Sequence, residues 1–269
     1  MTLSKIGIIS HPRIDGKLVL GLVKTLEKAG MTLFFDPVTA KKIPRKKTDV
    51  KDMKIDLAIV FGGDGTILWV VNEVAGKPLI LGINTGKVGY LAEAAPEEAT
   101  EKLKLLLAGR FSVDERTKLC VNNKFEALNE VFIASKEPAT LLDFRIRLDG
   151  LPVAHFRADG VMVSTPTGST GYSLSAGGPI LHPAVGGYLI VPSNPFLRGQ
   201  FPLVVPDDAA TEIELLREDR EANLILDGRR EKNILPHQKI TVRKSKNTVR
   251  FVRFSKDFEH KQVNAGGLK

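Results

Sequence analysis

Cysteine is nearly missing from this 269-residue chain, where Cys120 stands alone. That excludes an intramolecular disulfide and every structural zinc site built on several thiolates, and points to an intracellular protein. Long apolar runs are missing too: even residues 185–192 are interrupted by Gly186, Gly187 and Tyr188. No stretch approaches the ~18 residues of a membrane span. The opening residues hold a strand-length apolar stretch without the longer hydrophobic region and cleavage site of a signal peptide. A cytoplasmic, membrane-free protein is expected. Aromatic residues make up only 6%, with a single tryptophan, Trp69. No RNA-binding aromatic motif or zinc finger supports nucleic-acid binding, although 39 Lys+Arg against 31 Asp+Glu leave a net charge of +8 that favours phosphate-bearing partners. The five histidines, at 11, 155, 182, 237 and 260, never fall at metal-ligand spacing from one another.

What is present is ordinary globular material, 43% hydrophobic and 26% charged, enough for one large domain or two smaller ones. Residues 5–10 read as a strand. Residues 15–29 follow as a helix, with Leu18, Leu22 and Leu26 at helical spacing and Gly30 as its stop. Residues 31–35, 55–61 and 79–83 read as further strands, 66–74 as a buried helix, and Pro96 opens a helix that Gly109 closes. This alternation predicts a mainly parallel sheet covered by helices. Beyond Gly109 the pattern changes to short β-like runs: 118–121, 126–134, 143–148, 153–157, 161–164, 212–216, 223–226, 240–242 and 249–254. Asp149-Gly150 suggests a hairpin turn. The expected organisation is therefore an N-terminal α/β domain over residues 1–110 and a β-rich domain over 111–269, with the C-terminal segment free to pack back on the first. The basic stretch from Lys41 to Lys47 contains Pro44 and reads as an exposed loop, with attraction of nucleotide phosphates as the other reading.

Three glycine-rich clusters carry the chemistry. Gly62-Gly63-Asp64-Gly65-Thr66 lies between an apolar strand and a helix start, where backbone N–H groups and the helix dipole favour an oxyanion. A carboxylate among phosphates repels them unless it holds a metal or takes a proton from an attacking hydroxyl. The plainer reading makes Asp64 a helix N-cap. Asn84-Thr85-Gly86-Lys87-Val88-Gly89-Tyr90-Leu91 follows another strand; it is either a tight loop or a phosphate contact through Lys87. The third cluster runs from Arg157 through Asp159 to Pro179. Its hydroxyls and glycines suit a polar ligand better than a core, and Tyr172 offers a face for a flat ring; a flexible linker is the alternative. Walker A, dinucleotide-fingerprint and nucleophile-elbow spacings are all absent.

Taken in order, Gly62–Thr66, the Asn84–Leu91 loop, Asn129-Glu130 and the run from Arg157 to Ile180 resemble the NAD kinase family. That family transfers a phosphoryl group to the 2′-hydroxyl of the adenosine ribose of NAD. The resemblance implies a Rossmann-like α/β domain followed by a β-sandwich-like one. It implies Asp64 as proton acceptor and Gly62, Gly63 and Thr66 as contacts to the phosphoryl donor. It also implies dinucleotide contacts from Gly65, Asn129, Glu130, Arg157, Asp159, Thr170, Gly171, Tyr172, Ser173, Leu174 and Ser175, with Asp227 nearby. It further implies ATP or polyphosphate as donor, a divalent ion such as Mg²⁺ on the phosphates, and a homo-oligomer, dimer or tetramer. Trp69 departs from the basic residue that many members carry there, and Gly171 from a common alanine. Lipid and sugar kinases share the short Gly-Gly-Asp-Gly turn, and a non-catalytic dinucleotide sensor is the remaining alternative.

Overall fold

The computed structural model describes residues 3–86, 89–197 and 199–255; Lys87, named above as a phosphate contact, lies outside them. Two compact units divide at Glu115/Arg116 and again at Thr248/Val249, so that the described residues 249–255 belong with the N-terminal unit.

In the first unit, β1 (Lys5–Ser10), β2 (Thr32–Phe35), β3 (Leu57–Gly62) and β4 (Leu79–Asn84) form a parallel sheet in the order β2-β1-β3-β4. Every residue of β3 and the first five of β4 are buried, the continuous apolar pattern of strands covered on both faces. Residues Arg250 and Phe251, late in the chain, pair in parallel with Leu79 and Ile80. The helices are α1 (Gly16–Lys28), α2 (Pro37–Lys42), α3 (Asp64–Glu73) and α4 (Ala99–Leu107). In α1 the side chain of Asp15 accepts the Lys17 N–H, and Val19, Leu22, Val23 and Leu26 bury one stripe. These join Ile6, Ile8, Leu57, Ile59, Leu103 and Val252 in one core.

The basic stretch corrects the loop reading at its first two residues only, since residues 44–47 are exposed and outside any helix. Lys41 and Lys42 form the last turn of α2, whose start is set by Asp36 accepting from the Val38 and Thr39 N–H groups and by Pro37 in the first turn. The Lys42 ammonium reaches the backbone carbonyls of Pro12 and Ile14, and Arg45 pairs with Glu27.

The second unit is antiparallel. Its strands begin with β5 (Ser112–Val121), β6 (Phe125–Ala127), β7 (Glu130–Ser135), β8 (Leu142–Leu148), β9 (Leu151–Ser164) and β10 (Gly187–Pro195). A short helix, α5 (Tyr172–Ser175), lies between the last two. There follow β11 (Leu203–Pro206), β12 (Thr211–Leu215), β13 (Ala222–Leu226), β14 (Arg229–Ile234) and β15 (Lys239–Arg253). The ladder runs β14-β13-β7-β9-β8-β12-β15, with β10 pairing to β9 and β11, and β5 to β6. Asp149 and Gly150, both at positive φ, turn the β8–β9 hairpin as expected. Runs 153–157 and 161–164 are one strand, because pairing with β7 and β10 carries the chain through the weak β-formers Asp159 and Gly160. Run 126–134 is instead two strands, broken at Leu128 and Asn129.

Candidate functional site

In the first unit the Gly62–Thr66 turn sits at the carboxyl end of β3, where open parallel sheets bind ligands. A Cβ on Gly62 would stand 2.5 Å from the Thr66 hydroxyl oxygen, so only glycine lets the first turn of α3 close over the strand. The Thr66 N–H then donates to the Gly63 carbonyl at 2.9 Å. The N-cap of α3 is Gly63, not Asp64, which removes the capping role considered from sequence. Asp64 instead reaches the second glycine cluster: its Oδ2 accepts the Tyr90 N–H at 2.8 Å and its Oδ1 the Leu91 N–H at 3.1 Å. Two motifs that read as separate are thus one structure, the acid of the first holding the backbone of the second. Each carboxylate oxygen retains capacity for a further donor.

Gly63, Gly65 and Thr66 border a cavity of about 930 Å³, together with Thr85 and Gly86 from the second cluster and Trp69 from the next turn of α3. Its other wall is the loop after β1, including His11 and Arg13, which the sequence reading left aside. That loop is fixed by the Lys42 contacts, while Asp36 accepts the Ser10 N–H at 3.2 Å. The signal that locates this wall is the Asp36-Pro37 pair, an N-cap followed by a first-turn proline.

In the second unit Asn129 lies in the break before β7 and Glu130 is the first residue of β7, and Asp227 makes that break. In the β13–β14 turn at positive φ, its carboxylate accepts from the Leu128, Asn129 and Glu130 N–H groups at 2.9, 2.7 and 3.2 Å. From the other side the Thr165 N–H donates to the Asn129 carbonyl at 2.9 Å, and the Thr165 hydroxyl to the Leu128 carbonyl at 2.6 Å. Gly168 packs so closely that a Cβ would lie 2.1 Å from the Asn129 oxygen. The side chains of Asn129 and Glu130 both come within 3.7 Å of the Cβ position of Gly171, over the start of the loop 171–175.

Glu130 is 8% exposed. Burial, with the nearby Asp227 charge adding to it, raises its carboxyl from an ordinary 4.5 to about 7. Asn129 Oδ1 and Ser173 Oγ are buried with no hydrogen-bond partner among the described residues, whereas nearly all buried polar groups in folded proteins have one. Tyr172 is half exposed and edge-on to Phe132 at 5.3 Å.

Other hydroxyls of the third cluster have partners within the loop. Ser169 bonds to Pro166 and Leu181, and Thr170 to Thr167. Their density therefore serves the loop's own backbone more than the sequence reading allowed. Arg157 and Asp159 stand apart from Asn129 and Glu130. Glu130 pairs with Ser164, five residues from Asp159 along β9, about 16 Å at the rise of a strand. Asp159 accepts from the Asn194 amide at 3.1 Å, and the Arg157 guanidinium stacks over Phe196 at 5.1 Å.

Residues 20–111 match the ATP-NAD kinase N-terminal domain model and residues 128–254 the ATP-NAD kinase C-terminal domain model. This chain belongs to the NAD kinase family. An NAD kinase of Methanothermobacter thermautotrophicus is 37% identical over 266 residues, covering 96% of this chain and 94% of that protein. One from Thermococcus gammatolerans is 38% identical over 248 residues, 89% of each. Among solved structures, an NAD kinase from Archaeoglobus fulgidus in complex with ATP superposes with a TM-score of 0.82 at 28% identity, covering 98% of this chain and all of that one. Yeast NADH kinase complexed with NADH shares the fold, with a TM-score of 0.88 at 23% identity and coverage of 98% and 87%.

Among the described residues of this NAD kinase family member, no three His, Cys, Asp or Glu side chains gather as metal ligands. The lone Asp64 carboxylate, already holding two amides, fits an ion that arrives with a triphosphate and keeps phosphate and water oxygens around it. It does not fit a caged resident ion. No helix among those residues is long and apolar enough to cross a membrane.

Proposed function

We infer that the protein is an NAD kinase in activity as in family, transferring the terminal phosphoryl group of ATP to the 2′-hydroxyl of the adenosine ribose of NAD. The observation that carries this reading is Asp64 itself, an acid seated in a phosphate-type turn beside a cavity of nucleotide size, whose carboxylate accepts the backbone amides of Tyr90 and Leu91. Gly62, Gly63 and Thr66 receive the donor's phosphates at the head of α3. Asn129, Glu130 and the loop from Thr170 to Ser175, with Gly65, take the dinucleotide. The orphaned Asn129 and Ser173 oxygens support that role. Arg157 and Asp159 contact a more distant part of the same extended ligand.

Asp64 orients the ribose hydroxyl and accepts its proton. Because a sugar hydroxyl is far less acidic than a carboxylic acid, transfer is late and orientation supplies most of the effect. A divalent ion bound with the donor supplies neutralisation of phosphate oxygens during in-line displacement. The family resemblance further supports a homo-oligomer, dimer or tetramer, which light scattering measures directly, and the single cysteine supports a cytoplasmic location.

Incubation with ATP, Mg²⁺ and NAD yields NADP, whereas diacylglycerol or fructose 6-phosphate in place of NAD yields no phosphorylated product. Asp64→Asn lowers turnover by roughly 10²–10⁴ while NAD affinity stays within a few-fold. Turnover within tenfold of wild type would refute the role given to Asp64, and NAD binding without any NADP would make the protein a sensor.

A further inference from the structure

The acid that the proposed reaction depends on does not stand on its own. Its Oδ1 rests on the N–H of Leu91, and the carbonyl of that same residue accepts a hydrogen bond from Arg253 Nη1 at 3.0 Å. Leu91 is buried and held on both sides. Arg253, at the end of β15 and 1% exposed, is among the largest fully buried side chains of the molecule. Its guanidinium also contacts Glu93 Oε2 at 3.3 Å and Asp114 Oδ2 at 3.2 Å from both Nε and Nη2. Glu93 Oε1 accepts the Phe254 N–H at 2.8 Å, and the Glu93 N–H donates to the Gly82 carbonyl at 2.9 Å. One planar cation thereby fixes the backbone of residues 91–93 from behind, while Asp64 meets that backbone in front.

A buried ion group of this kind costs desolvation that its internal attraction barely offsets. Apolar residues of the same volume would hold the fold as well. The gain is geometric, since a guanidinium fork leaves its partners few alternative positions. We propose that Arg253 is a positioning residue for phosphoryl transfer, setting through Leu91 the backbone on which the Asp64 carboxylate is aimed. The proposal rests on the NAD kinase reading above, and on the principle that a displacement of about 1 Å at a reacting group can cost on the order of 10²-fold in rate. The family comparisons and the sequence motifs assign Arg253 no role.

The test is steady-state kinetics of the full-length protein with ATP and NAD, alongside thermal melting. Wild type without NADP formation sinks the activity reading itself; the variants bear on the proposal only once wild type is active. Arg253→Lys keeps the charge and loses the fork. It is expected to lower kcat about 10- to 100-fold with both KM values within threefold. In the Asp64→Asn background the same change is expected to lower kcat less than twofold further, because the group being aimed is already gone.

Should Arg253→Lys fail to melt cooperatively, the combination Arg253→Met, Glu93→Gln and Asp114→Asn removes the fork without leaving buried charge unpaired. It is expected to give the same kinetic pattern. A kcat within twofold of wild type in a folded variant overturns the proposal. So does an equal loss with and without Asp64, or a loss carried by KM alone. Failure of both variants to fold also overturns it, by making the ion group a requirement of folding rather than of aim.

Discussion

Glu130 combines burial with a charged neighbour in a way that titration can read. Its carboxyl is raised from 4.5 to about 7, first by burial and then by Asp227. The folded protein therefore holds a proton there that the unfolded chain has released between those two pH values. Stability from this group is fully present below about pH 4.5 and is lost as pH rises through 7, a difference of roughly 3 kcal/mol. Glu130→Gln, which stays neutral, is expected to match wild type in denaturant midpoint near pH 4 and to exceed it near pH 8; equal profiles at both ends would remove the shift. Trp69 offers a second reading at this scale. It is the single tryptophan of the chain, 40% exposed in the cavity wall. ATP is expected to change its emission on titration, and Trp69→Ala to weaken ATP binding about tenfold through loss of stacking. An unchanged spectrum at saturating ATP would place the donor elsewhere.

At the scale of elements, the break between β6 and β7 depends on one side chain from the β13–β14 turn. Asp227→Ala leaves three N–H groups without their acceptor. It should cost about 2–3 kcal/mol by denaturant unfolding and raise the KM for NAD, since Asn129 and Glu130 lose their fixed backbone. Sequence periodicity could not reveal this. Residues 126–134 alternate well enough to read as one strand, and only a contact 98 residues distant from Asn129 interrupts them. The same limit hid the union of the first two glycine clusters, because nothing local to Asp64 announces that its partners are the amides of Tyr90 and Leu91.

Local signals were sufficient elsewhere. The α1 stripe, the buried β3 and β4 runs and the Asp149-Gly150 turn follow from residue type and spacing alone. The helix α2 was legible in Asp36-Pro37 but masked by the neighbouring charges and Pro44, which lies beyond its end. The density of hydroxyls after Ser164 suggested a polar ligand, while the division between hydroxyls that bond within the loop, such as Thr165 and Ser169, and that of Ser173, which is buried without a partner among the described residues, is visible only in three dimensions.

For the molecule as a whole, the N-terminal unit is completed by residues from the far end of the described chain. Phe251 and Val252 are fully buried in it, and Arg250 and Phe251 extend its parallel sheet. Each such side chain is worth about 1.5–3 kcal/mol, so their joint loss rivals the net stability of a domain. A chain ending at Thr248 is expected to lose the calorimetric transition of the first unit while the antiparallel unit, with its own core around Phe144, Val163 and Ile213, still melts cooperatively. Retention of both transitions would show that the last strand is dispensable.

This interleaving also sets an order of events on the ribosome. Residues 3–115 emerge first but lack an edge of their sheet and the guanidinium behind Leu91 until Arg253 has been translated. The inserted stretch 116–248 can reach its final form sooner. The half made first is therefore the half finished last, and during synthesis it presents the open edge of β4 to whatever chaperone attends the nascent chain.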